Sequence, residues 1–185
     1  MAAFLISEIR RLGLSGTLKR ARIASDSADQ AAIYKRWVVA HALDAPAIAR
    51  LRAQVAALPS PPRFSVIMPV YNTDPRWLRA AVASVREQIY PHWELCIADD
   101  ASTDPATVKT LDECRQDPRI RIARRSANGH ISAASNDALA LATGDFVAFL
   151  DHDDELSPDA LAEMAFAIAA RPDGDIFYSD EDKKT

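Results

Sequence analysis

From Phe64 onward the chain alternates short apolar runs with longer stretches in which apolar residues recur every three or four positions. The runs Phe64–Val70, Trp93–Ala98, Ile120–Ala123, Phe146–Leu150 and Ile176–Tyr178 predict β-strands, because uninterrupted apolar segments of this length fit strands buried on both faces. Between them, Pro75–Gln88, Pro105–Gln116, Ile131–Ala142 and Pro158–Ala170 carry the helical period. Strict βαβα order predicts an α/β fold, a three-layer Rossmann-like and mostly parallel sheet with helices on both faces. The punctuation agrees: Asp74, Asp104 and Ser157 each precede a proline, the pattern of a helix cap followed by Pro in the first turn. Gly144, after the fourth helical pattern, reads as a C-terminal stop.

The first 58 residues follow a different pattern, rich in Ala, Leu and Arg, with helical periods at Ala2–Leu12, Gln30–Leu43 and Pro46–Leu58. They predict a helical N-terminal segment, 1–58. The prolines of 59–62 break any helix and mark a linker, so a second domain is expected over 63–185. In the first helical pattern Phe4, Leu5, Ile9 and Leu12 lie near one face beside Arg10 and Arg11. That arrangement suits either an amphipathic membrane-surface anchor or a solvated basic face packed on a neighbour. The apolar run Ala2–Ile6 is shorter than a signal-peptide core, and no stretch approaches the ~20 apolar residues that span a bilayer. A cytoplasmic protein is expected, with peripheral contact to the inner face of the plasma membrane if the first helix is an anchor.

Charge changes this picture in one respect. Residues 1–60 carry nine Lys/Arg against four Asp/Glu, and 61–185 carry thirteen against twenty-two. An acidic second part lacks the basic footprint that nucleic-acid backbones require, so no nucleic-acid partner is expected. The two cysteines, Cys96 and Cys114, have no metal-ligand spacing and no disulfide framework.

Candidate chemistry gathers where strands end, the place where open α/β sheets bind ligands. After the first strand, Pro69-Val70-Tyr71-Asn72 exposes an aromatic ring that either stacks on a base or caps the core. After the second, Asp99-Asp100-Ala101-Ser102-Thr103-Asp104 offers two carboxylates and two hydroxyls; Asp104 reads as a helix cap and Asp100 as the ligand candidate. After the third, Arg124-Arg125-Ser126-Ala127-Asn128-Gly129-His130 joins arginines to a Gly-bearing turn and a helix start, a seat for a diphosphate. His130 there either contacts phosphate or simply begins the helix. After the fourth, Asp151-His152-Asp153-Asp154 places three carboxylates directly behind an apolar run. An extended chain would point Asp151 and Asp153 the same way; such a cluster suits a hard divalent cation, with an Asp-rich turn as the structural alternative.

Together, the segments FSVIMPVYN, WELCIADDASTD, NGHISAASNDALALATGDFVAFLDHDD and FYSDEDK resemble, in order and spacing, the family 2 glycosyltransferases with a GT-A fold. The resemblance spans Phe64 to Lys183. It implies donor-binding roles for Pro69, Tyr71, Asp100, Asn128, Gly129, Asn136, Asp151 and Asp154: Tyr71 flanks the nucleotide base, Asp100 binds it, and Asn136 matches the helix Asn near the site. It implies that Asp151 and Asp153 form the Asp-x-Asp (DXD) pair on ribose and, through Mn²⁺ or Mg²⁺, on the diphosphate, with Asp153 the direct metal ligand. Ala101 stands where Gly is common and Ala134 where a basic residue is frequent. The implied reaction is inverting transfer of a sugar from a UDP-, dTDP- or GDP-linked donor to a hydroxyl of an acceptor glycan or lipid-linked glycan, in surface polysaccharide or lipopolysaccharide synthesis. The cation serves as Lewis acid and a carboxylate takes the acceptor proton. In family members that base lies beyond the YSDEDK segment, so the chain is expected to be the donor-binding part, with no catalytic base assigned. The alternative is a catalytically inactive nucleotide- or metal-binding module of the same fold. A haloacid-dehalogenase-type phosphatase and a response-regulator receiver also carry acid pairs, but after their first strand rather than the fourth.

Overall fold

The computed structural model describes residues 42–179 together with Ala32 and Arg36. The chain divides into two compact units, Met1–Ala45 and Pro46–Thr185, and the sheet lies in the second. The expected helix Ala2–Leu12 falls outside the described residues. Of Gln30–Leu43, Ala32 and Arg36 are helical and Ala42 and Leu43 are not.

The elements follow the expected alternation: α1 (Ala45–Ala56), β1 (Phe64–Val70), α2 (Pro75–Arg86), β2 (Trp93–Asp99), α3 (Pro105–Cys114), β3 (Ile120–Arg124), α4 (His130–Leu139), β4 (Phe146–Phe149) and α5 (Ala160–Ala170). The four strands form one sheet in the order β3-β2-β1-β4. All pairings are parallel, with Phe64 opposite both Trp93 and Phe146. The chain therefore moves outward from β1 to β3 and then returns to the other side of β1, which creates a switch point between β1 and β4.

Period-two alternation sorts the strand residues into two cores. Val66, Met68 and Val70 of β1 and Leu95 and Ile97 of β2 pack with Leu51 and Val55 of α1, Leu78, Val82 and Val85 of α2, Leu111 of α3, and Leu161 and Ala165 of α5. On the opposite face Ile67, Cys96 and Ala98 meet Ala134 and Ala138 of α4, with Leu141 and Ala142 packed against them. Helices on both faces make three layers, as expected, although among the described residues four helices cover one face and one covers the other. Tyr90 ties the proline-rich segment to this core: its hydroxyl donates to the Pro62 carbonyl at 2.6 Å, and burial pushes the phenol up to about 12.

Local signals placed the helix starts well where the cap is made by the side chain. Asp74 Oδ1 accepts from Arg76 N at 2.8 Å and Asp104 Oδ2 from Thr107 N at 2.9 Å, each ahead of its proline. Three expectations need correction. Helix α5 starts at Ala160 rather than Pro158, because the Ser157 and Pro158 carbonyls are taken by Gln88 Nε2 and Ile89 N of the α2–β2 connection. Gly144 does not stop α4, which already ends at Leu139. Instead a β-carbon at Gly144 would sit 2.6 Å from the Arg63 carbonyl oxygen, so glycine is required by close approach. Finally, Ile176–Tyr178 is not a strand. It has no ladder partner among the described residues; Phe177 packs against the Phe146 ring, while Ile176 and Tyr178 are 86% and 91% exposed.

One polar group organises the end of the sheet away from the cavity. Glu94, buried in β2, accepts from Ser65 Oγ at 2.7 Å, Thr143 N at 2.5 Å, Thr143 Oγ1 at 2.9 Å and Arg63 at 3.1 Å. Burial by itself raises a carboxyl, but these donors and the Arg63 charge outweigh it and hold Glu94 below the usual carboxylate range. Both chain segments that enter β1 and β4 thus converge on one carboxylate. Glu94→Ala should lower the unfolding free energy by about 3 kcal/mol in denaturant titration, since it strands buried donors. Because the folded value lies below the unfolded one, this contribution is present above pH ~4.3, the ordinary Glu value, and is lost as pH falls through the lowered folded value. A variant as stable as wild type at pH 7 would contradict this account.

Candidate functional site

The carboxyl ends of β1, β2 and β4 and the start of α4 enclose a cavity of 410 Å³, within the range of small-ligand sites. Its lining includes Pro69, Tyr71, Asp100, Asn128, Asp151 and Asp153, so six of the residues singled out in the sequence come together at the switch point, along with His130 and His152. Val70, Ile131 and Ala134 supply apolar wall. The Tyr71 ring is 48% exposed rather than capping the core.

Asp100 is placed by its own hydrogen bonds. It is 3% exposed, its amide donates to the Val70 carbonyl at 2.8 Å, and its Oδ1 accepts from Gly129 N and Arg125 Nε, both at 2.9 Å. Asp99, also buried, accepts from Ser102 N at 2.9 Å and pairs with Arg124 at 3.6 Å.

The two arginines expected to seat a diphosphate have other partners. Arg124 bonds the Asp112 carboxylate at 3.0 Å and the Val108 carbonyl at 3.3 Å, both on α3. Arg125 is held between Asp100 and Asp137 of α4. Neither lines the cavity. Gly129 is a wall support rather than a lining residue: a β-carbon there would meet Arg125 Nη2 at 2.5 Å and Ala133 Cβ at 3.0 Å. Asn136 lies outside the lining too; it is exposed on α4, whose Ala134 and Ala138 face the sheet.

The acid segment is a turn, not an extended strand end. Asp154 N donates to the Asp151 carbonyl at 3.2 Å, closing a four-residue turn around His152 and Asp153. Asp151 and Asp153 still line the cavity, and Asp154 does not. The turn is fixed from behind by α2 and the α2–β2 connection. Ser84 Oγ accepts from Leu156 N at 3.1 Å, and buried Gln88 donates to the Ser157 carbonyl at 2.6 Å while accepting from Leu161 N at 3.0 Å. Ser84 and Gln88 gave no sign of this in the sequence, where they read as ordinary helix positions.

Asn72 was also unassigned and is a clasp. Its side-chain oxygen accepts from Thr103 N at 2.8 Å and Asp104 N at 2.9 Å, while its own amide donates to Ser102 Oγ at 2.9 Å. The loops after β1 and β2 are thereby locked together. Asn72, Ala101 and His130 have φ of 45°, 63° and 63°, and all three border strand ends or the helix start around the cavity. Asn tolerates this region; Ala and His carry a steric cost there.

Among the described residues no group of three His, Cys, Asp or Glu placed to hold a metal occurs, and with Asp100 committed to Gly129 and Arg125 the cavity offers the two carboxylates of the acid turn, Asp151 and Asp153. They do suit a hard cation of the Mg²⁺ or Mn²⁺ kind, which commonly takes one or two carboxylates and completes its shell with substrate phosphates and water. Asp151 and Asp153 are the residues that would hold it. The acids Asp180, Glu181 and Asp182 lie outside the described residues.

A family model described as Glycosyl transferase family 2 matches residues 65–182. The chain is 37% identical over 162 residues to the O-antigen biosynthesis protein RfbC of Myxococcus xanthus, covering 87% of this chain and 12% of that one. Among solved structures, S. aureus TarS 1-349 in complex with UDP-GlcNAc shares 30% identity at a TM-score of 0.55, over 60% of this chain and 32% of that one. The mannosyltransferase PcManGT of Pyrobaculum calidifontis, in complex with GDP-Man and Mn²⁺, shares 26% identity at a TM-score of 0.51, over 62% and 36%. The chain thus spans about a third or less of these relatives' own lengths.

Ala101→Gly should raise stability by about 1 kcal/mol, because glycine adopts φ of 63° without the β-carbon clash. The check is the midpoint of denaturant unfolding; a lower midpoint would show that Ala101 is unstrained.

Proposed function

The chain belongs to glycosyl transferase family 2, and on that premise we propose that its cavity holds the nucleotide-sugar donor of a sugar transfer in polysaccharide assembly. One observation carries the proposal: Tyr71, Asp100, Asp151 and Asp153, which come from three different strand ends, line a single cavity at the switch point of a parallel sheet. The half-exposed Tyr71 ring and the apolar wall suit a nucleotide base, with Asp100 accepting its hydrogen bonds. Asp151 and Asp153 then face the ribose and the diphosphate. In this reading Asp151 and Asp153 form the DXD pair and, with the donor's phosphates, hold Mn²⁺ or Mg²⁺. When bound, the cation supplies Lewis-acid stabilisation of the departing diphosphate. The protein groups orient the donor and keep one face of it against the wall formed by α4.

Three observations support the reading: solved relatives carry UDP-GlcNAc in one case and GDP-Man with Mn²⁺ in the other, and RfbC is described as an O-antigen biosynthesis protein. We assign the described residues to the donor side of an inverting transfer, with residues 63–185 as the nucleotide-sugar-binding domain and an acceptor hydroxyl on a glycan or lipid-linked glycan. Location in the cytoplasm at the inner face of the plasma membrane belongs to the same proposal, since such acceptors are membrane-borne. No catalytic base is assigned. Among the described residues no helix is long and apolar enough to cross a membrane. The second reading is a catalytically inactive nucleotide- or metal-binding module of the same fold.

Calorimetric titration of UDP, dTDP and GDP with and without Mn²⁺ tests the site. One nucleotide should bind in a metal-dependent way, and Asp153→Asn should weaken it by at least about tenfold, the effect of losing a charged ligand contact. Equal binding with and without metal, or by Asp153→Asn and wild type, would remove the metal role. Release of free nucleotide diphosphate from the matching sugar donor, measured with an acceptor lipid fraction, separates an active transferase from the inactive module.

A further inference from the structure

A cavity meant for a nucleoside diphosphate should meet its charge with something, yet this lining contains three carboxylates, Asp100, Asp151 and Asp153, and no lysine or arginine. The nearby arginines are committed elsewhere, Arg124 to Asp99 and Asp112 and Arg125 to Asp100 and Asp137. Two histidines remain in the lining. His152 sits inside the acid turn, between the two aspartates assigned to the cation. His130 stands at the opposite wall, as the first residue of α4.

His130 is costly where it is. Its φ of 63° lies in the left-handed region, which a residue with a β-carbon enters at a steric cost and glycine enters freely. The backbone needs no histidine there: the hydrogen bond at this position runs from its amide to Asn128 Oδ1 at 3.2 Å and would be made by any non-proline residue. No side-chain cap is formed at the start of α4. The imidazole is exposed and lines the cavity. A strained residue whose side chain makes no hydrogen bond, ion pair or ring contact among the described residues but faces a ligand cavity points to function.

We propose that His130 is a donor-binding residue whose imidazole N–H donates a hydrogen bond to the diphosphate of the nucleotide, supplying the contact that the committed arginines do not. The inference rests on the donor-site reading above. It also accounts for the sequence at this turn: a helix start with a glycine before it and a strained histidine at the wall is a device for presenting one side chain, not for relieving the backbone.

The test uses the full chain, His130→Gly and His130→Asn, each titrated with the nucleoside diphosphate that binds the wild type in the presence of Mn²⁺, and with the corresponding nucleoside. His130→Gly should melt at or above the wild-type temperature, because glycine relieves the strained φ. It should bind the diphosphate about tenfold more weakly, the loss of one hydrogen bond to a charged group, while nucleoside binding stays unchanged. His130→Asn, which tolerates positive φ and keeps an amide donor on a shorter arm, should fall between the two. Diphosphate affinity of His130→Gly within about twofold of wild type, or an equal loss of diphosphate and nucleoside, overturns this inference while leaving the donor site intact. A wild-type chain that binds no diphosphate overturns the donor-site reading and this inference with it.

Discussion

The carboxylate of Asp100 is the contact on which the site depends. A buried acid must be partnered, because an unpaired charge out of water costs far more than the fold can absorb. Here the partners are Gly129 N and Arg125 Nε, both at 2.9 Å. Residues 125–129 belong to no strand or helix, so this bond decides where they run. They in turn deliver α4, among the described residues the only helix whose buried residues pack on the Ile67, Cys96 and Ala98 face of the sheet. Without Asp100 the cavity would lose its floor and its α4 wall together. Arg125 completes the link by reaching Asp137, about two turns into α4.

Around this anchor the backbone is bent sharply. Strands β1, β2 and β3 end in register, and only four or five residues separate each from the helix that follows. Asn72 and Ala101 meet that demand with left-handed conformations at the ends of β1 and β2. Asn72 converts the bend into a joint, since its side chain bonds the backbone of Thr103 and Asp104 and its amide bonds Ser102. The Asp104 cap and its bonds to Thr107 then carry the same constraint into α3. Strain at the cavity rim is thus held by hydrogen bonds behind it, the usual condition for strained backbone to persist.

The acids after β4 obey a similar division of labour. Asp151 and Asp153 line the cavity, and groups outside its lining fix their position: Ser84 of α2 at Leu156, and Gln88 of the α2–β2 connection at Ser157 and Leu161. Holding like charges close together is unfavourable. The tertiary bonds hold them at the cavity until a cation or a polar ligand can offset the repulsion. Buried Cys96 adds nothing to this chemistry; burial pushes its thiol up to about 11.

What the chain determined by itself was everything encoded by neighbours within a few positions. Strand and helix order came from hydrophobic period, the starts of α2 and α3 from Asp followed by Pro, and the position of Tyr71, Asp100, Asp151 and Asp153 at strand ends from motif order along one chain. Parallel topology then required those ends to lie on one side of the sheet. The tertiary structure decided whatever depended on a distant partner. Gly144 reads as a helix stop until its amide is seen bonded to Ser65 Oγ, 79 residues away. Arg124 and Arg125 read as phosphate ligands until Asp112 and Asp137 claim them. Ile176–Tyr178 has strand composition but no ladder partner among the described residues, and composition cannot supply one. The reason is common to all three: local periodicity is a property of consecutive residues, whereas the fate of a charge, a close approach or a strand edge is settled by what folding brings beside it.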